Sequence, residues 1–460
     1  MAGECNVSEI VTSFIRYTCR LRPRPTKRDV QAATSCACVT AGHPYNDEEA
    51  EYIPLITGSI AEFYIEPFLP HVGDIDVMFY INTQLAIPRG HLPPTQLPAE
   101  FHNYVYVHEI TDSHLPGYVY LPLSYLLTRC VDDGKYEYVK YEQNFLLGRY
   151  SKDMGRNTFI HGPAVFHDNS DRPPILSIDA VYCIRCLSWP PQAADWPTRH
   201  RNYGWPDSAT LDRIVSDGCD LVNVAHRQCR QDELMGKHQW RLSFSRAEIT
   251  LINSWMPVQQ IVYHMLRYFI KTERLTECAD NSEAGTLNNY HIKTLVLWAC
   301  ELKSTSWWTV NLNLVRICVE LLQTLSVWLT ETRCPHYFIN SCNLLDISLK
   351  TRNVANKLMS VDEEYLSTWF INNYIGQCAQ LCPFDISRLF DDVSSSVKLQ
   401  NAVSKIVRWR LRTSMLDFWQ SFYLSEYIIA SSVSTSPLCV RYCVCLQNKL
   451  AKIDTICLFI

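Results

Sequence analysis

At 460 residues the chain is longer than one hydrophobic core usually encloses, so two lobes are expected. Hydrophobic residues make up 47% and charged residues 19%, as in an ordinary globular protein, and a mean hydropathy of −0.10 with no apolar run of spanning length argues against a membrane protein. A net charge of −5 gives no overall attraction to nucleic acid, so any nucleic-acid face has to be local.

The first residues carry Glu4 where a secretory signal would have basic residues and then an apolar stretch, which points to a cytoplasmic chain. The 20 cysteines are scattered rather than clustered, and the Cys183/Cys186 pair reads as buried free thiols rather than a metal or redox site. Ile10, Phe14 and Tyr17 recur at helical spacing. Arg16, Arg20, Arg22, Arg24, Lys27 and Arg28 accompany and follow them, broken by Pro23 and Pro25. On composition alone this basic run is equally a solvated surface.

Thr57-Gly58-Ser59 comes next, and then Val72-Gly73-Asp74-Ile75-Asp76-Val77-Met78-Phe79. In a strand, Asp74 and Asp76 project to one side while Ile75 and Val77 pack on the other. Two adjacent carboxylates repel unless a cation lies between them, and Mg²⁺ takes one or two carboxylates and completes its shell with water and substrate phosphates. Gly58 lets the backbone approach a phosphate, and Ser59 adds a hydroxyl. Alone, an Asp-x-Asp on a strand is more often a solvated face. Asp179 strengthens the case, because it sits in the apolar run 175–181 with no other charge, where an unpaired carboxylate is costly.

Between these acids, 104–107 and 117–120 read as strands, and Pro88, Pro93, Pro94, Pro98 and Pro116 mark an irregular insertion. After Pro206 the spacing turns helical over 210–223, 245–254, 258–274 and 287–302. His226, Arg227, Arg230, Lys237 and His238 form a basic stretch that is either a nucleic-acid face or a solvated loop. Arg241, Ser243 and Ser245 alternate on a strand-like run, giving one face a guanidinium and two hydroxyls suited to phosphate and base edges.

Thr57-Gly58-Ser59, Asp74-x-Asp76 and Asp179, with Trp240-Arg241-Leu242-Ser243-Phe244-Ser245 and Asn289-Tyr290-His291-Ile292-Lys293, resemble the Mab-21 family of nucleotidyltransferases, which includes cyclic GMP-AMP synthase and the receptors like it. Trp189-Pro190, Trp196-Pro197-Thr198-Arg199 and Gly204-Trp205-Pro206 are similar as well, and the likeness runs from about residue 10 to 346. The resemblance implies an α+β, bilobal nucleotidyltransferase fold with a mixed sheet core, an N-terminal spine helix and a C-terminal helical lobe. Its divisions would be a spine and basic segment over 1–50, a nucleotidyltransferase core over 51–206, a helical lobe over 207–363 and a helical extension over 364–460.

It further implies that Asp74, Asp76 and Asp179 hold two Mg²⁺ ions, with Mn²⁺ as the alternative, while Thr57, Gly58 and Ser59 hold the donor triphosphate. Arg241, Ser243, Ser245 and Glu248 would hold a second nucleotide, Tyr290 would stack on its base beside Asn289 and Lys293, and Arg267 would replace a phosphate-binding lysine. The product would be a cyclic dinucleotide made from ATP, GTP or another nucleoside triphosphate, in innate immune sensing. Double-stranded RNA or DNA along Arg16, Arg20, Arg22, Arg24, Lys27 and Arg28 would activate the enzyme. Residues 247–260 contain neither cysteine nor histidine, so no zinc is expected there and RNA is preferred over DNA as the activator. A non-catalytic scaffolding or nucleic-acid-binding protein of the same family, or a terminal transferase acting on RNA, are the alternatives.

Overall fold

The computed structural model describes residues 8–9, 11–12, 15, 20–21, 52–57, 65–66, 75–141, 145–148, 158–161, 164–167, 178–229, 231–232, 234–275, 287–310, 312–345 and 351–375. Its strands are β1 (Arg20–Leu21), β2 (Tyr52–Thr57), β3 (Ile65–Glu66), β4 (Ile75–Pro88), β5 (Tyr104–Asp112), β6 (Tyr118–Tyr120), β7 (Leu123–Arg129), β8 (Tyr136–Lys140), β9 (Thr158–His161), β10 (Ala164–His167), β11 (Ile178–Cys186), β12 (Cys219–Val222) and β13 (Trp240–Ser243). β1 and β3 form a small antiparallel ribbon, and the other eleven strands form one mixed sheet.

β4 is the axis of that sheet. Residues Met78, Phe79, Tyr80 and Ile81 are buried in succession, the mark of a strand covered on both faces. It pairs antiparallel with β2 and parallel with β11 and β5, and a bulge absorbs extra β4 residues where the β11 register shifts between Cys183 and Arg185. From β11 the ladder continues through β12, β13, β6 and β5 back to β4, so these strands close on themselves. β5 instead alternates exposed Tyr104 and Tyr106 with buried Val105 and Val107, a half-solvated strand.

The helices are α1 (Asp195–Thr198), α2 (Ser208–Asp217), α3 (Met235–His238), α4 (Ser245–Asn253), α5 (Pro257–Thr272), α6 (Asn289–Leu302), α7 (Thr305–Thr309), α8 (Leu314–Thr330), α9 (Thr351–Met359) and α10 (Glu363–Phe370). α5 opens on Pro257, whose missing N–H costs nothing at a helix start, and its residues Gln259 to Ile270 are all buried. One core joins sheet residues Ile184, Leu221 and Trp240 to α5, α6 and α8, and also takes in Val11 and Ile15. Residues 8, 9, 11, 12 and 15 are helical. Leu314 N–H donates to Thr12 Oγ1 (3.0 Å), and Asn313 Nδ2 donates to Ser8 Oγ and to Glu363 Oε2 (3.0 Å each), tying this N-terminal segment to the first turns of α8 and α10. Among the described residues no helix is long and apolar enough to cross a membrane.

Three expectations need correction. The stretch punctuated by prolines between Pro88 and Pro116 is irregular over residues 89–103 but not throughout: β5 follows from Tyr104, and the sheet continues through β6, β7 and β8. The helix expected over 210–223 stops at Asp217, and β12 occupies Cys219–Val222. Ser245 does not extend the strand of Arg241 and Ser243 but opens α4. Ile10, Phe14 and Tyr17 lie outside the described residues, as does everything from residue 376 onward.

Candidate active site

Backbone register assembles the first part of the site. Asp76 is the direct antiparallel partner of Thr57 on β2 and the direct parallel partner of Asp179 on β11. Three residues far apart in sequence thus form one row across three adjacent strands, each about 4.8 Å from the next in the hydrogen-bonding direction. Thr57 closes β2, while Asp76 and Asp179 are the second residues of their strands, so the row lies where the chain enters and leaves the sheet. Gly58, Ser59 and Asp74 adjoin this row in sequence and lie outside the described residues. So do Arg16, Arg22, Arg24, Lys27 and Arg28, whereas the backbone of Arg20 pairs with Glu66.

The second part lies on the same sheet. Tyr80, Cys183, Val222 and Arg241 are successive register partners across β4, β11, β12 and β13. Arg241 is therefore two strands over and four positions along from the Asp76–Asp179 row, roughly 13 Å in the strand direction. In β13, Trp240 and Leu242 are buried while Arg241 and Ser243 keep partial exposure.

Phe244 then turns the chain into α4, with its ring stacked on Phe338 at 4.5 Å. Ser245 opens that helix with its hydroxyl 3.1 Å from that of Ser243, and Glu248 follows within the first turn, 4% exposed. A carboxylate is favourable there because the helix N-terminus carries partial positive charge.

α6 supplies the facing residues. Asn288 caps it, accepting from His291 N–H at 3.1 Å, which sets Asn289 and Tyr290 in the first turn. Lys293 follows Tyr290 by three positions, so the two share a face. The Lys293 ammonium lies 2.8 Å from Glu248 Oε2 and 5.7 Å from the centre of the Tyr290 ring. The Tyr290 hydroxyl is 3.2 Å from His336 Nε2. Burial, and then the Glu248 charge, push the Tyr290 phenol well above its ordinary range. Burial lowers His336 to about 4, with Arg241 acting in the same direction and Glu248 opposing it.

The Arg241 side chain makes no hydrogen bond or ion pair among the described residues, although its charge acts on Tyr290, His336 and Cys342. With Lys293 paired to Glu248 and His336 uncharged, Arg241 is a positive charge with no ion-pair partner among the described residues. A planar ring, two hydroxyls and one open guanidinium can together receive a flat group carrying a negative charge. Asn289 keeps a buried Oδ1 with no partner among the described residues. Arg267 is buried in α5, its guanidinium 5.7 Å from the Tyr263 ring.

Sequence reasoning missed an ionic anchor beside this cluster. Asp220 on β12 is fully buried, in register with both Arg185 and Ser243. Arg246 Nε lies 2.9 Å from Asp220 Oδ2, and Arg185 Nη1 lies 3.7 Å from Oδ1 while donating to the Cys219 carbonyl, with Nη2 donating to that of Asp217. The anchor fastens the start of α4 to the sheet. Its signal was available, since Asp220 interrupts an apolar run just as Asp179 does. The Trp196–Arg199 motif forms a joint: Arg199 and the Tyr337 hydroxyl meet Glu301 of α6 at 2.7 and 2.8 Å. Among the described residues no three His, Cys, Asp or Glu side chains form a metal cluster. The described cysteines, including Cys183 and Cys186, are free thiols.

Residues 135–254 match the Mab-21 protein nucleotidyltransferase domain, and residues 258–363 match the Mab-21 protein HhH/H2TH-like domain. The junction falls between α4 and α5. A protein mab-21-like from Aedes aegypti is 30% identical over 159 residues, covering 34% of this chain and 40% of that relative.

Proposed function

Because this chain belongs to the Mab-21 family, carrying its nucleotidyltransferase and HhH/H2TH-like domains in succession, we propose that it joins nucleoside triphosphates into a cyclic dinucleotide when double-stranded nucleic acid engages it. The observation that best supports this reading is the register pairing of Asp76 with Asp179, which sets two acidic residues side by side with Asp74 two positions upstream. That donor set suits a hard divalent cation, which accepts carboxylate oxygens and tolerates water and phosphate in its remaining positions. Asp74, Asp76 and Asp179 would hold Mg²⁺, or Mn²⁺ in its place, and zinc has no part in the site. When bound, the metal supplies positive charge that acidifies the attacking ribose hydroxyl and balances the charge developing on the pyrophosphate.

The chain's own residues bind and orient. Thr57, Gly58 and Ser59 cradle the donor triphosphate. Arg241 is the open cation for a phosphate of the second nucleotide, Ser243 and Ser245 offer hydroxyls to it, and Tyr290 presents its ring to the base. Glu248 and Lys293 hold each other in place beneath that ring. Asn289 and Arg267 complete the nucleotide contacts. Arg16, Arg20, Arg22, Arg24, Lys27 and Arg28 form the local basic face for the duplex, with RNA as the preferred form because a basic segment can read an A-form duplex by shape and phosphate. The setting is cytoplasmic innate immune sensing.

The test is to incubate the purified protein with ATP, GTP, Mg²⁺ and either duplex RNA or duplex DNA, and to analyse the products by mass. A dinucleotide that depends on duplex is expected. Labelled RNA lengthened instead would indicate a terminal transferase, and no product with any duplex would contradict the receptor reading. Metal analysis of the same preparation is expected to find no stoichiometric zinc.

A further inference from the structure

His336 reaches the Tyr290 hydroxyl from outside the family motifs singled out in the sequence, and its ring is 7% exposed. The backbone N–H groups of Phe338 and Ile339 both donate to its Nδ1, at 3.0 and 3.1 Å. An imidazole nitrogen that accepts hydrogen bonds carries no proton, so the neutral ring holds its proton on Nε2. That nitrogen is 3.2 Å from the Tyr290 oxygen. Nε2–H therefore donates and the phenol oxygen accepts, which turns the phenol's own proton away from His336. Glu248, whose charge acts on that phenol, receives Lys293 at 2.8 Å. The direction of the His336–Tyr290 bond is set by two backbone amides.

We propose that His336 is a positioning residue of the nucleotide site, which locks the Tyr290 ring as the platform for a nucleotide base by donating Nε2–H to its hydroxyl. The inference rests on the nucleotide-binding reading given above. A ring held by its oxygen has already lost part of the freedom that a ligand would otherwise have to remove, so the order is in place before the base arrives. Arg241, whose side chain has no hydrogen-bond or ion-pair partner among the described residues and whose charge acts on this phenol, is the cation for the ligand's phosphate.

The test measures ATP and GTP binding in the presence of Mg²⁺ for the full chain, His336→Asn, Tyr290→Phe and the double variant. Asparagine can still accept from the Phe338 and Ile339 amides but is too short to reach Tyr290. His336→Asn is expected to weaken binding roughly three- to tenfold when Tyr290 is present. In the Tyr290→Phe background, where the hydroxyl is gone, it is expected to cost nothing further. An equal loss in both backgrounds, or no loss in either, would overturn the proposal while leaving nucleotide binding intact. If the full chain binds neither nucleotide, the nucleotide reading fails and the proposal falls with it. Nitrogen-15 spectra of labelled histidine give a readout that needs no ligand: the His336 signal, identified by its loss in His336→Asn, is expected to report the Nε2–H tautomer, and the Nδ1–H tautomer would overturn the proposal.

Discussion

Lys293 and Glu248 are both largely buried and 2.8 Å apart, so removing Lys293 takes an ion-pair partner from the Glu248 carboxylate in a low-dielectric setting. Lys293→Met is expected to lower folding stability by about 3 kcal/mol in urea unfolding, and adding Glu248→Gln is expected to recover much of that loss. A double variant as unstable as the single one would contradict the pairing. At this scale, legibility in the sequence depends on whether a residue is locally anomalous. Asp179 is legible because a carboxylate inside an apolar run needs a partner. Asp220, in Cys219–Val222, meets the same criterion and went unread because that run was assigned to a helix. His336 offers no such signal: a single histidine in a loop has no spacing, and its role depends on backbone amides that only the fold brings to it.

Gly218 decides where α2 ends. Its φ is +65°, and an added Cβ would fall on the Cys186 carbonyl oxygen and lie 2.9 Å from Leu187 C and Ser188 N. Both the backbone angle and the closeness of β11 therefore demand glycine. Gly218→Ala is expected to destabilise the protein by more than 2 kcal/mol, or to prevent its folding, as measured by soluble yield and thermal unfolding. Unchanged stability would contradict this. The expected helix over 210–223 ran through this glycine because the apolar residues of β12 continue the helical spacing, whereas a glycine after the last periodic turn is itself a stop signal. The helices over 257–272 and 289–302 were legible because long periodic runs outweigh local ambiguity. The N-terminal segment offers a second check. Thr12→Val keeps the shape but strands the Leu314 N–H in the interior, and a loss of about 1–3 kcal/mol is expected in urea unfolding. No change would mean that this segment does not hold α8.

Among the described residues, four buried histidines share a common response to acid. Burial lowers His108 and His336 to about 4 and His264 to about 3, and His291 is lowered as well. All four are neutral in the fold, while in the unfolded chain each takes up a proton below its ordinary value near 6.5. Their contribution to stability is therefore complete above about pH 6.5 and is lost as pH falls toward 4, at up to roughly 1.4 kcal/mol per pH unit for each histidine. Urea midpoints are expected to fall steadily between pH 6.5 and 5; a flat profile would contradict neutral burial. The α+β class was legible from the succession of short and helical periodicities, but the closure of the sheet through β12, β13 and β6 was not, since pairing between distant strands leaves no local mark.

The central claim concerns the row formed by Asp76 and Asp179, and the most direct test is pyrophosphate release from nucleoside triphosphates with Mg²⁺ and duplex RNA or DNA. The wild-type chain is expected to release pyrophosphate with at least one duplex, and Asp76→Asn and Asp179→Asn, still folded, are each expected to fall by a factor on the order of 10³ or more. Equal release by wild type and either variant, or none by wild type with any duplex, would contradict it.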